Sequence, residues 1–362
     1  SLGMHTTSRV FARLRRSSSS STPTRKSMNV ARQSPSPLPR PFPSSSLSPP
    51  LPSMAPDTTV PSLLESTVVP AAVEEILSRP HVRIRDRERV LGKIAKMMEG
   101  GADKLLIVSD FDHTLSRAWD DKGPCWTTHA VFDSAPSMPV LAKKCMDLKM
   151  KYLPIEFDGN MTMEEKIPHM EVWWRSANDI VVQEGIELDR IRELVKTCNI
   201  QLRDGAAKLM IDLERKKIPL VLFSAGIGDI ISIYLEKRLG QMPPNMHLIS
   251  NMMKFDDKKK LIGFEEPLIH TFNKNASVIK KEASFFHEVS KRGNVILLGD
   301  SMGDLHMDVG VEHHNEKDTL KIAFLNRKEH LLPFYLQGYD LVLLDDQSMD
   351  IPQAILDAII NH

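Results

Sequence analysis

Cysteine is scarce in this chain, with three residues in 362. Cys125, Cys145 and Cys198 form no Cys-x-x-Cys pair. An odd, sparse set suits a reducing compartment, with each thiol a small buried apolar group. Long apolar runs are missing too. None reaches the ~18 residues of a membrane-spanning helix, so no membrane contact is expected. There is no GxxxxGK[ST] stretch, which argues against ATP-driven work. "SAGIGD" supplies Gly226 and Gly228, but Ile231 stands where a dinucleotide fingerprint needs its third glycine. No internal repeat is visible. Net formal charge is absent, since 47 basic residues meet 47 acidic ones, yet the balance is uneven. Residues 1–56 hold eight Arg or Lys and no acid. The remainder is acidic by the same margin. That argues against a nucleic-acid surface but not against a small anionic substrate, which needs only a local cation.

What is present begins with a low-complexity segment. Residues 1–60 are rich in Ser, Pro and Arg, with "SSSSS" at 17–21 and "SPSPLPRPFPSSSLSPPLPS" at 34–53. Such a composition cannot bury enough apolar surface to offset the entropy of folding, and the segment is read as a disordered tail. Its Arg-rich, Ser-rich, acid-free character equally fits an organelle transit peptide. The expected location is therefore the cytoplasm, or a chloroplast or mitochondrion if the tail is a targeting segment.

From about residue 62 the pattern is globular. "SLLESTVVPAAVEEILS" and "RIRDRERVLGKIAKMMEGG" predict amphipathic helices over 62–78 and 83–101, the second closed by Gly100 and Gly101. An apolar run, Leu105 to Val108, then predicts a buried strand ending at Asp110. Residues 120–205 carry few strand signals and read mostly as helix. Strand and helix signals alternate afterwards, with strands at "PLVLFSAG" (219–226), "HLIS" (247–250), "NVILLGDS" (294–301), "KIAFLN" (321–326) and "DLVLLDD" (340–346). Alternation of this kind predicts an α/β fold, a doubly wound parallel sheet with helices on both faces. The helical block is an insertion between its first and second strands.

Chemistry-bearing residues collect at the strand ends, where open parallel sheets bind ligands. They are Asp110 and Asp112 in "LLIVSDFDHTLS", Ser224 in "FSAG", Lys274 in "HTFNKNAS", and Asp300 and Asp304 in "LLGDSMGDL". Acids, a hydroxyl on a glycine-containing turn and a lysine form the set that a phosphate ester requires. Mg2+ prefers carboxylate oxygens. A cation, a lysine and backbone N–H groups can hold phosphoryl oxygens while the ester bond breaks. One carboxylate can act as nucleophile and a second can protonate the leaving alcohol.

D-x-D-x-T at one strand end, a serine at the next, a lysine, and G-D-S-x-x-D at a later strand together resemble the haloacid dehalogenase superfamily of aspartate-dependent phosphatases. "VSDFDHTLSR", "IEFDGNMTMEEK", "LVLFSAGIGDII", "LIHTFNK" and "ILLGDSMGDLHM" narrow the resemblance to its pyrimidine 5′-nucleotidase family, the cytosolic 5′-nucleotidase III type, over about residues 65–362. The resemblance implies a core built from residues 61–118 and 204–362, with a mainly helical cap at 119–203. It implies Mg2+-dependent hydrolysis of nucleoside 5′-monophosphates, of pyrimidine or 7-methylguanosine type, by an expected monomer. It makes Asp110 the nucleophile and a Mg2+ ligand. Asp112 is then the general acid, later the base, and lends its carbonyl to the metal. Asp300 is the third metal ligand, and Asp304 supports the metal or Lys274, with Thr114 also supporting. Ser224 and the Ala225 N–H bind the phosphoryl group, Lys274 neutralises charge, and Glu156 reads the nucleobase. The resemblance also implies a substrate-contacting serine after "EEK", where this chain has Ala177 with Ser176 beside it.

Other readings of the same residues stand beside these. Lys274 alone reads as a solvated loop lysine, and only its place among the other motifs reverses that. Trp173 and Trp174 read as helix core more readily than as a stacking platform, though with Trp126 they are candidates for one. His313 and His314 read as loop residues, and Asp345 and Asp346 as surface acids. The alternative functions are a superfamily phosphatase acting on a small non-nucleotide phosphomonoester, a nucleoside phosphotransferase, and a non-catalytic binding protein.

Overall fold

The computed structural model describes residues 68–275, 285, 289–308 and 319–362. The tail at 1–60 and the His313–His314 pair lie outside the described residues. The strands are β1 (Val82–Ile84), β2 (Leu105–Ser109), β3 (Trp119–Asp120), β4 (Gly123–Pro124), β5 (Leu220–Ile227), β6 (Met246–Asn251), β7 (Met253–Phe255), β8 (Leu261–Phe264), β9 (Asn294–Gly299), β10 (Thr319–Leu325) and β11 (Leu341–Leu344). The helices are α1 (Ala71–Ile76), α2 (Arg87–Gly100), α3 (Ala130–Asp133), α4 (Pro139–Glu156), α5 (Met163–Gln183), α6 (Leu188–Thr197), α7 (Ala206–Arg215), α8 (Gly228–Leu239), α9 (Leu332–Gly338) and α10 (Asp350–Ile360).

Seven strands form one sheet in the order β1-β11-β10-β9-β2-β5-β6. All pairs in it are parallel except β1 with β11. Every residue of β2 is buried, as expected for a strand covered on both faces. Side chains alternate between those faces. Leu105 and Ile107 join the apolar cluster that includes Ile94 and Met97 of α2, Ile230 of α8 and Ile355 of α10. Leu106 and Val108 join the opposite cluster with Tyr335 and Tyr339. The fold is thus a doubly wound α/β sheet. The chain leaves β2 toward β5 on one side, and β9 flanks it on the other. The carboxyl end of β2 is therefore the switch point at which such sheets open a crevice.

The hairpin β3–β4 and helices α3 to α6 all lie between β2 and β5 in sequence. Helix α5 starts with a capping box in which Thr162 and Glu165 satisfy each other's backbone N–H groups. Two helix expectations need correction. The helix sought over 83–101 begins at Arg87, because Asp86 caps it by accepting from Arg89 N, and Val82–Ile84 pairs instead with β11 as an edge strand. In the helix sought over 62–78, the described helical residues are Ala71–Ile76, beginning after Pro70, whose ring fixes φ at a helix start. The hairpins β3–β4 and β7–β8 went unforeseen because strands this short show no periodicity.

Candidate active site

Asp110 follows directly on β2 and is 3% exposed. Its N–H donates to Leu298 O of β9 at 3.0 Å. The chain then turns tightly through Phe111–Leu115, with His113 at φ +64°, a left-handed conformation that is uncommon for a non-glycine residue. The turn is bolted by Arg203, 1% exposed. Its guanidinium donates to Thr114 O at 2.6 Å, to His113 O at 2.6 Å, to Asn326 Oδ1 at 2.9 Å and to Asp346 O, and stacks over the Phe324 ring at 4.1 Å. Burial lowers the Arg203 pKa to about 10. The turn swings Asp112 toward Thr128. There Oδ1 accepts from Thr128 N at 2.9 Å and Oδ2 from Thr128 Oγ1 at 2.7 Å.

The end of β5 supplies a second loop. Ser224 Oγ accepts from Gly226 N at 3.0 Å. Ala225 O accepts from Trp174 Nε1 at 3.0 Å and Asn251 Nδ2 at 2.9 Å, and lies 3.4 Å from His129 Nε2. Helix α8 starts at Gly228, so its N-terminal end faces the same strand edge, where anions are favoured.

Lys274 joins the acids. Its Nζ donates to Asp110 Oδ1 at 2.6 Å and to Asp304 Oδ1 at 2.7 Å. Asp304 Oδ2 accepts from Asp300 N, Ser301 N and Ser301 Oγ at 2.9–3.1 Å. Both oxygens of Asp304 are therefore committed. Tyr335 Oη fixes the same loop by donating to Asp300 O at 2.7 Å. One carboxylate oxygen from each of Asp110, Asp300 and Asp304 lies within 4.8 Å of the others. Burial raises Asp110 to about 7; Lys274 opposes that rise, and Asp304 and Asp300 add to it. Asp300 rises to about 7 through burial and then Asp304. Asp112 rises to about 7 through burial and then the charge of Asp110. Burial opposes the Lys274 ammonium, but Asp110 and Asp304 outweigh it and hold its pKa above the ordinary value. One lysine thus meets more carboxylate than it neutralises. An all-oxygen donor set carrying excess negative charge fits a hard divalent cation such as Mg2+.

Glu156 closes α4. Its Oε1 accepts from Thr271 Oγ1 at 2.9 Å, three residues before Lys274, and its carbonyl accepts from Lys166 Nζ at 3.0 Å. Burial raises its pKa, against the Thr271 hydrogen bond. Trp174 is packed with Met170 and Leu268, with Trp173 against that cluster, and Trp173 stacks on Tyr152. Trp126 packs on the main core. Thr114 is buried and contributes its carbonyl to Arg203. Ser176 and Ala177 sit half-buried on α5. The surface reading fits Asp345, which is exposed, but not Asp346, which is half-buried and gives its carbonyl to Arg203.

The structure thus brings Asp110, Asp112, Ser224, Lys274, Asp300 and Asp304 to one edge of the sheet. Sequence reasoning missed Thr128, Arg203, Asn251 and His129. Only Asn251 carried a signal, as a polar residue directly after the strand expected at 247–250; it closes the observed β6.

Comparison with known proteins points to one family. The family model described as pyrimidine 5′-nucleotidase (UMPH-1) matches residues 113–360, starting just after Asp110 and Asp112. A putative cytosolic 5′-nucleotidase 3 of Caenorhabditis elegans is 47% identical over 290 residues, covering 78% of this chain and 77% of that protein. The 7-methylguanosine phosphate-specific 5′-nucleotidase A of Xenopus laevis is 40% identical over 283 residues, covering 78% and 96%. Among solved structures, cytosolic 5′-nucleotidase IIIB bound to cytidine superposes with a TM-score of 0.72 at 32% identity, covering 79% of this chain and 96% of that one.

Proposed function

The chain belongs to the pyrimidine 5′-nucleotidase (UMPH-1) family, and from that premise we propose that it hydrolyses nucleoside 5′-monophosphates to nucleoside and phosphate with Mg2+ as cofactor. One observation carries the reading: a buried lysine bridges Asp110 and Asp304 beside Asp300, at the carboxyl end of the central strand.

With both oxygens of Asp304 committed, Asp110 and Asp300, together with the main-chain carbonyl of Asp112, would hold the cation. Bound there, Mg2+ would supply positive charge against the phosphoryl oxygens. Lys274 occupies Asp110 Oδ1, which leaves Oδ2 to attack phosphorus. The P–O5′ bond breaks with its electron pair going to O5′, and Asp112 gives that oxygen its proton. The phosphoryl group is then bonded to Asp110. Asp112, now a carboxylate, takes a proton from a water whose oxygen attacks phosphorus and frees Asp110. Ser224 Oγ already accepts from Gly226 N, so its own proton is available to a phosphoryl oxygen. The Ala225 N–H and the start of α8 favour the same anion.

Residues 119–203 act as a cap. Thr128, His129 and Trp174, all from this insert, reach Asp112 or the β5 loop, which supports its place over the site. Glu156 reads the base. An ionised carboxylate accepts hydrogen bonds and cannot donate them, so it favours bases with N–H donors, such as cytosine and uracil, or the cationic ring of 7-methylguanine. The family relative named cytosolic supports action in the cytoplasm. Among the described residues no helix is long and apolar enough to cross a membrane.

Phosphate release across UMP, CMP, 7-methyl-GMP, AMP, GMP and a base-free phosphomonoester tests the reading, with Mg2+ or chelator present. Turnover of a pyrimidine or 7-methylguanosine nucleotide that chelator abolishes and Mg2+ restores is expected. Equal turnover of the base-free ester, or full activity in chelator, contradicts it.

A further inference from the structure

Thr128 belongs to no motif, yet it is 0% exposed and touches Asp112 twice, through its N–H on Oδ1 and its hydroxyl on Oδ2. A third bond fixes the direction of that hydroxyl. Ile227 N donates to Thr128 Oγ1 at 3.1 Å, so the oxygen's own hydrogen is committed to Asp112. The polarity runs one way, from the β5 loop through Thr128 into the carboxyl group. Two donors from one residue, one on each oxygen, prevent the carboxyl from rotating without losing both bonds. Each oxygen keeps a second lone pair for the proton to be transferred. The packing is tight as well. A Cβ on Gly226 would lie 2.3 Å from Thr128 Oγ1 and 2.8 Å from Asp112 Oδ2, so the phosphate-side loop has a glycine where this pair needs room.

We propose that Thr128 is the positioning residue that aims the Asp112 carboxyl at the leaving oxygen. This rests on the reading of Asp112 as proton donor. Thr128 takes no part in bond making. It holds the donor in place while the P–O5′ electron pair moves to O5′, the Asp112 proton follows, and phosphorus bonds to Asp110. Thr128 lies in the insert, whereas Asp112 and Ile227 belong to the sheet edge. The insert therefore contributes to proton transfer as well as to base recognition.

The leaving group separates this role from a structural one. A nucleoside leaves as an alkoxide that needs a proton, whereas 4-nitrophenolate leaves as a stable anion. The experiment measures kcat/KM for a nucleoside 5′-monophosphate and for 4-nitrophenyl phosphate in wild type, Thr128→Val, Thr128→Ala, Thr128→Ser and Asp112→Asn. The ratio of the two values within one protein does not depend on how much of the sample is folded. Since general-acid catalysis contributes ~100- to 10,000-fold, the ratio should fall about 30-fold or more in Thr128→Val and Thr128→Ala. It should recover to within about 3-fold of wild type in Thr128→Ser, which keeps both donors. Equal losses on both substrates, or a ratio unchanged in Val and Ala while Asp112→Asn lowers it, overturn the role of Thr128. A ratio unchanged in Asp112→Asn overturns the proton-donor reading, and the role of Thr128 with it.

Discussion

At the scale of single residues, the site is governed by the placement of charge. Lys274 is buried between two acids, a position that its ammonium holds only because both carboxylates face it. Each oxygen of Asp304 is already hydrogen-bonded, Oδ1 to Lys274 and Oδ2 to three donors of its own loop, so it shapes the site, while Asp110 and Asp300 are the acids proposed to meet ligand and substrate. Glu156 stands apart from these acids and takes the hydroxyl of Thr271. Removing its charge should therefore affect recognition more than chemistry. Glu156→Gln should raise KM for the preferred nucleotide ~10-fold or more, the worth of a charge-assisted bond of roughly 1.5–3 kcal/mol. Turnover of a base-free phosphate ester should barely change. Steady-state kinetics on both substrates check this, and equal losses on both would move Glu156 into the catalytic or folding machinery. The acids were legible in the sequence because each sits in a short linear motif after a strand, whereas Lys274, which lies in the loop beyond β8 and not at a strand end, was legible only by its place among those motifs. Thr128 and Arg203 were not. Their partners Asp112 and His113 lie 16 and 90 residues away, and no local pattern encodes such a pairing.

At the scale of elements, the turn that follows Asp110 depends on a bolt from outside the strand that carries it. Arg203 precedes α7 and ties the turn after β2 to the segments following β10 and β11 through four hydrogen bonds. Arg203→Met would keep the stem and leave four acceptors without that donor, which should destabilise the protein by about 2–4 kcal/mol. Arg203→Lys should recover only part of this, because an ammonium cannot fork to separated carbonyls. Urea denaturation reads the effect as a lower midpoint at unchanged slope. A midpoint equal to wild type would mean that the turn holds itself. The central strands were legible because burial on both faces leaves a continuous apolar run, as in "LLIV" of β2. The edge strand β1 was hidden because three residues beside a helix cap carry no alternation that separates them from the helix.

At the scale of the whole molecule, a doubly wound sheet presents its acids along one edge, and the insert between β2 and β5 brings Thr128, Trp174 and Glu156 to that edge. The order of strand and helix signals made this architecture legible. The contacts between insert and sheet were not, because they are set by tertiary packing. All the named site residues lie between Asp110 and Asp304, so a protein lacking residues 1–60 should keep the turnover of the full chain. A fall in kcat on truncation would tie that segment to the site. The proposed covalent role of Asp110 is tested most directly by phosphate release from the best nucleotide by Asp110→Asn at saturating Mg2+. The substitution keeps the size of the side chain and removes the nucleophile. A fall of at least ~1,000-fold, about 4 kcal/mol of barrier, is predicted in a protein that still folds. Turnover near the wild-type rate would contradict the covalent mechanism.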